Sequence, residues 1–234
     1  MKTTSNPTHK VTAPLQRAVG DWRRVADALQ ADIILGRLFP RQRLIEDEVM
    51  ARFDTTRHAV RSAFDELQRR GLIAREANRG AFVRSYSAQE VEELFEILEV
   101  LEAHAIRRMP LPASPALVRR LAEVQKQHRA ASERDEYLEL FRLNKVFHDT
   151  LFDACGNEKL AQLIRDRALL IDPIRMRRIP DLSWRREAVR HHADMVKLLQ
   201  RGDREALVTL CAAHVEPTKA FYLSLYAAGS APAP

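Results

Sequence analysis

A chain of 234 residues with 46% hydrophobic content can fill two ordinary domain cores, and its two cysteines, Cys155 and Cys211, lie far apart without a CxxC spacing, which excludes a disulfide framework and a thiolate zinc site. No stretch approaches the roughly 18 consecutive apolar residues of a membrane span, and the opening MKTTSNPTHKVTAPLQRA has no apolar secretion core, so the expectation is a cytoplasmic protein with no membrane partner. The net charge of +6 is uneven: residues 1–20 carry three basic and no acidic side chains, residues 21–86 carry 13 against 10, and residues 87–234 carry 22 of each, so the excess that could meet a polyanion is N-terminal.

Residues 1–19, rich in Thr, Pro and Lys, read as a disordered basic arm. A first helix is predicted from about Asp21 to Leu35, with Val25, Leu29, Ile33 and Ile34 on one face and Gly36 and Pro40 as its stop. A short second helix, about Glu46 to Phe53, turns Val49, Met50 and Phe53 inward. Thr56 then caps a third helix whose Val60, Ala63, Phe64 and Leu67 follow helical spacing up to Gly71. Leu72 to Arg75 and Ala81 to Arg84 read as strands of a hairpin around Ala77, Asn78, Arg79 and Gly80. Three helices and a hairpin make a winged helix-turn-helix over residues 20–86.

With Val60, Phe64 and Leu67 inward, Arg57, His58 and Arg61 face outward at the start of the third helix, where a recognition helix presents side chains to base edges. Thr56 can cap the helix and contact a phosphate, and Arg79 and Gly80 allow the wing to approach the neighbouring backbone. Two exposed arginines alone are more often a solvated helix face. Their place in a helix-turn-helix with a wing and a basic arm makes double-stranded DNA the expected partner.

Residues 88–228 are predicted to be helical, with breaks at 110–115, 173 and 180, and residues 229–234 to form a disordered tail. Helices are expected over about 88–109, 115–132, 135–155, 158–178, 184–201 and 203–227, forming an antiparallel bundle able to enclose a ligand. The chain is thus mostly α, a winged helix-turn-helix followed by an all-helical antiparallel bundle. Asn144 and His148 share an apolar stripe one turn apart, His192 sits with Val189, Val196 and Leu199, and His214 sits with Leu207, Leu210 and Cys211. One inward histidine is an ordinary core residue. Three together with an amide oxygen form a ligand set for a divalent metal, zinc or nickel, with positions open for water or an acid. His191 is about 100° round its helix from His192 and is not expected to share the ion.

The stretch LGRLFPRQRLIEDEVMARFDTTRHAVRSAFDELQRRGLIAREANRGAFV resembles the DNA-binding domain of GntR-family transcription regulators, with Thr56 at a usual Ser, Phe64 at a usual Leu and Arg41 where Gly is common. The resemblance implies DNA contacts at Thr56, Arg57, Arg61 and Gly80. The remainder resembles the FCD effector domain of the FadR-type subfamily through NKVFH, HHADMVKLLQRGD and AAHV, which implies Asn144, His148, His192 and His214 as metal ligands. Asn144 stands where many members have Asp, and Leu98 where an arginine often meets the effector carboxylate. Arg142 or Arg175 is the candidate replacement for that arginine.

These features imply a DNA-binding transcription regulator, a homodimer on a palindromic operator, acting as a repressor whose affinity responds to a small carboxylate effector at the metal. The alternatives are a DNA-binding dimer with a purely structural bundle and, more remotely, a metal-dependent hydrolase. The hydrolase lacks a partner acid, since Asp149 turns away from His148 and Glu187 is not placed as a general base, and GxSxG, Walker A and GxGxxG patterns are absent. No catalytic residue is assigned.

Overall fold

The computed structural model describes residues 14–76 and 79–227, and the side chains within them from residue 21 to residue 225. Apart from Ile34–Gly36, which group with the second, the chain divides into two compact units between Arg84 and Ser85.

In the N-terminal unit, α1 (Pro14–Ile34) buries Val25, Ala26, Leu29 and Ile33, and a turn leads to β1 (Arg43–Leu44) and α2 (Glu46–Phe53). Asp54, at φ 47°, closes α2 in the left-handed region. Thr56 then accepts the Ala59 N–H at 3.2 Å and starts α3 (Arg57–Arg69), whose Val60, Ala63, Phe64 and Leu67 are buried at the expected spacing. β2 (Ile73–Glu76) and β3 (Gly80–Val83) form the wing, and β1 adds to β3 so that the sheet order is β1-β3-β2, antiparallel throughout. A buried carboxylate, Asp32, is held by Arg37 at 3.2 Å and Arg52 at 2.6 Å, tying α1 to α2.

Among the described residues the C-terminal unit consists of α4 (Ala88–Arg108), α5 (Pro115–Glu133), α6 (Tyr137–Asp153), α7 (Glu158–Arg178), α8 (Leu182–Arg201) and α9 (Arg204–Ala227). The starts are written in capping chemistry. Ser87 and Glu90 form a reciprocal capping box, Ser114 caps α5 ahead of Pro115, Asn157 caps α7 and Asp181 caps α8. One core, including Phe95, Leu98, Ile106, Phe147, Leu151, Ile171, Met195 and Leu207, joins α4, α6, α7, α8 and α9. α5 packs on α6 and α8. Among the described residues no helix is long and apolar enough to cross a membrane.

Several expectations need correction. α1 begins at Pro14, so residues 14–19 of the expected arm are helical, while residues 1–13, the tip residues Ala77 and Asn78, and residues 228–234 lie outside the described residues. The wing strands run one residue later and one earlier than expected, and β1 was not foreseen because two residues carry no alternation to read. Pro173 does not break its helix: α7 continues through it, since buried Leu170, Ile171 and Ile174 hold the turns on both sides against the core.

Gly202 ends α8 at φ 78°, and a Cβ there would stand 3.1 Å from Pro112 Cγ. Gly202→Ala is expected to lower stability by roughly 1 to 3 kcal/mol, from backbone strain and crowding together, as read by urea denaturation.

Candidate DNA interface and candidate metal centre

Thr56 sets the phase of α3, so its first turn exposes Arg57, His58 and Arg61 and buries Ala59 and Val60. Neither arginine is free. Arg57 Nη2 lies 2.5 Å from Asp47 Oδ1, and Arg61 Nε lies 3.0 and 3.1 Å from the two Glu46 oxygens, both acids belonging to the first turn of α2. With the arginines 54% and 59% exposed, such pairs contribute about 0–1 kcal/mol, so they hold the side chains extended without making them costly to release. An open groove of about 550 Å³ runs past Arg43, Glu46, Arg57, Arg61, Arg75 and Gly80. Gly80, at φ 91°, faces the guanidinium of Arg43, whose Nε lies 3.8 Å from where a Cβ would be. Arg43 was missed in the sequence because it sits on the unforeseen β1. Arg79 pairs with Glu76 at 2.9 Å.

In the C-terminal unit α6, α8 and α9 bring His148, His192 and His214 together. His148 Nε2 lies 3.1 Å from His214 Nε2 and 3.3 Å from His192 Nε2, and one ring nitrogen from each lies within 4.8 Å of the others. His192 is 0% exposed and His214 is buried. Phe147 stacks on the His192 ring at 4.1 Å with 10° between planes. Asn144, one turn before His148, is buried, with Nδ2 lacking any partner. His191 stands beside this group, its ring 5.7 Å from that of His214, and is not one of the three.

Burial pushes the His148 imidazolium down to about 3, with Arg175 and His128 acting in the same direction, and holds His192 and His214 well below the usual histidine range. All three are therefore neutral at neutral pH, the form in which imidazole ligates a metal. The donor set fits one: ligands bonded at about 2.1 Å to a common ion stand about 3.0–3.4 Å apart, whereas neutral imidazoles sharing a pocket without an ion leave buried nitrogens unsatisfied.

Other residues fall differently from the sequence reading. His128 on α5 was missed. It is buried, its ring centroid is 4.7 Å from that of His192, and burial brings it down to about 4. It follows Leu121 and Gln125 at helical spacing, but a stripe containing Gln and His does not read as core. Arg142 is an exposed side chain held by Glu139 at 2.6 and 2.8 Å, away from the cavity. Arg175 is interior, bonded to the buried Asp172 at 2.8 Å, and lines a small cavity with His128, Asn144, Trp184 and Arg185. Leu98 is fully buried in the core. One turn later, burial raises the Glu102 carboxyl to about 8, against the pull of Arg175. Asp149 pairs outward with Lys145 at 3.6 Å.

A winged helix-turn-helix followed by a separate all-helical domain is the build of a two-domain transcription regulator. Residues 22–83 match the bacterial regulatory proteins of the gntR family and residues 93–217 match the FCD domain; the chain belongs to the GntR family and carries an FCD domain. It is 26% identical over 216 residues to the HTH-type transcriptional repressor RspR of Escherichia coli K12, covering 92% of this chain and 90% of that protein. It is 25% identical to the Nta operon transcriptional regulator of Aminobacter aminovorans over 76% of this chain and 82% of that one. A GntR transcriptional regulator from Rhodococcus sp. RHA1 superposes with a TM-score of 0.74 at 25% identity, covering 86% and 97% of the two chains. McbR/YncC of E. coli shares the fold at a TM-score of 0.73 and 18% identity, covering 88% of this chain and 98% of that one. The protein is a DNA-binding transcription regulator, not an enzyme.

The depressed imidazoles give a signed pH dependence. Between pH 6.5 and about 4 the unfolded chain binds protons that folded His128 refuses, so the unfolded state gains stability as pH falls. Urea denaturation of metal-free protein at pH 7.5 and 5.0 is expected to show lower stability at pH 5.0. His128→Gln should lessen the drop, the limit being about 1.4 kcal/mol per pH unit per imidazole.

Proposed function

We propose that the protein is a homodimeric repressor that holds a palindromic operator in its ligand-free state and releases it when a small organic acid binds in the FCD domain. The observation that carries this is the convergence of three neutral, buried imidazole nitrogens beside a cavity lined by Arg175. His148, His192 and His214, with the Asn144 amide oxygen, would hold a divalent cation, zinc or nickel. That ion, when bound, supplies a positive anchor for a carboxylate. Asn144 contributes no charge where an aspartate would, so the bound ion stays more electropositive toward an anionic effector. Arg175, already interior, supports the effector role that the sequence divided between Arg142 and Arg175.

On the DNA side, Thr56, Arg57, His58 and Arg61 read the major groove, and Arg79 with Gly80 brings the wing to the backbone; Arg43 joins them. Two copies related by a two-fold axis would match two half-sites about one helical turn apart. The connection between effector and DNA heads runs along α9. His214 lies on this helix, and about two turns later Tyr222 Oη donates to the Tyr86 carbonyl at 3.2 Å, just before the Ser87 cap of α4. A shift of α9 at the ligand site therefore moves the segment leading back to the wing. The relative named as a repressor supports the sign of regulation.

Elemental analysis of purified protein is expected to find about one zinc or nickel per chain in the wild type and loss of it in His148→Ala, His192→Ala; metal-free wild type would sink the metal-anchored effector. Separately, Arg57→Ala should cost roughly 1 to 3 kcal/mol on the specific operator with little change on random DNA. An unchanged ratio of specific to random binding, measured by fluorescence anisotropy, would remove Arg57 from base reading.

A further inference from the structure

We infer that the effector carries two anionic groups, and that Arg185 takes the second, far from the histidines; this rests on the organic-acid reading above. Arg185 lies in the first turn of α8 and is 3% exposed. Its Nη2 donates to Asp135 Oδ1 at 2.5 Å, and the Tyr137 ring covers its guanidinium carbon at 5.0 Å. Nε and Nη1 are sealed from solvent and meet no acceptor. A buried guanidinium with two idle nitrogens is a costly arrangement for a protein to keep unless something else accepts from them.

Those groups belong to a side chain that lines the same cavity as His128, Asn144 and Arg175, and among the described residues no acidic one lines it. The cavity's other orphaned polar atoms are Asn144 Nδ2, a donor, and His128 Nδ1. A lining of donors and guanidinium groups without a carboxylate is complementary to an anion. Asp135, which balances part of the Arg185 charge, is itself 63% exposed and so lies on the solvent side of the guanidinium.

The spacing turns this into a ligand class. Arg185 and His192 are seven residues apart on α8, two turns, so their side chains leave the same face about 10 Å apart along the axis. Tyr137, against Arg185, and Asn144, beside the histidines, repeat that seven-residue interval on α6. Allowing roughly 2–3 Å for each carboxylate to reach its partner leaves about 5 Å between the two acid groups, the span of a flexible diacid of about five or six carbons. The cavity measures about 10 Å³, one water's worth, so such an acid enters by parting α8 from α5 and α6. Occupancy and helix displacement are then one event.

The test is isothermal titration calorimetry on full-length, metal-loaded protein with glutarate and adipate against valerate and hexanoate, their one-carboxylate counterparts. A diacid is expected to bind wild type at least about tenfold tighter than its counterpart. Arg185→Met should erase that preference while leaving the monoacid affinity unchanged. Equal affinities of mono- and diacid for wild type would overturn the second anchor while keeping the organic-acid reading, and so would a preference that survives in Arg185→Met. Should neither kind of acid bind wild type, the organic-acid reading fails and this inference with it. The wild-type comparison needs no variant, so it decides even where circular dichroism shows Arg185→Met unfolded.

Discussion

The C-terminal domain is organised around one electrostatic constraint: imidazoles in a dry helical core must be uncharged, and an uncharged imidazole still has two nitrogens to satisfy. His148, His192 and His214 turn Nε2 toward one another, and their Nδ1 atoms find no partner. A nitrogen pair at 3.1 Å can share one proton at most, so three such groups cannot satisfy one another. The helices pay for this arrangement elsewhere, in the apolar packing of Phe147, Leu151, Met195 and Leu207 around it. An evolved core would replace three such side chains with leucine unless something else were meant to meet them.

The same constraint sorts the charged residues nearby. Arg175 stays in the interior because Asp172 bonds it directly and Glu102 lies close enough to feel its field. The Glu102 carboxyl, by contrast, has no cation bonded to it and is driven toward its neutral form by burial. Arg175 and the neighbouring imidazoles add to burial in disfavouring protonation of His148, His192 and His214. Leu98 is fully buried in the core, so an arginine at that position on α4 would place a further cation in the interior beside Arg175.

Much of this was legible in the sequence, and the parts that were not share physical causes. Helices α4 to α9 were readable from their apolar stripes and the breaks between them; caps such as Ser87–Glu90 and Asn157 reinforce some of the starts, while α6 begins without a side-chain cap. His148, His192 and His214 were readable because each lies in phase with aliphatic neighbours, so the direction of its side chain followed from theirs. His128 was hidden because its neighbours on the buried face include Gln125, whose amide is satisfied only by the Val189 carbonyl on another helix. The choice between Arg142 and Arg175 was equally closed to a one-dimensional reading. Both follow an acid three residues earlier, Glu139 and Asp172, and only packing decides which pair is solvated and which is buried.

The DNA-reading unit shows the converse, a surface that sequence periodicity places well but whose chemistry depends on a neighbouring helix. Arg57 and Arg61 were expected to face outward; in the folded unit they do so while held by Asp47 and Glu46. Such exposed pairs are weak individually, yet they act on long side chains that would otherwise sample many rotamers, and so reduce the entropy lost when each docks on DNA. The acids also repel phosphate. An arginine that leaves Glu46 for a guanine edge recovers two hydrogen bonds in a fixed fork, whereas one that leaves it for a phosphate brings a carboxylate and a phosphate into proximity. If Arg57 and Arg61 read bases as proposed, the acidic first turn of α2 would weaken indiscriminate backbone binding more than base reading, and the ratio of specific to random affinity would rest on α2 as well as on α3.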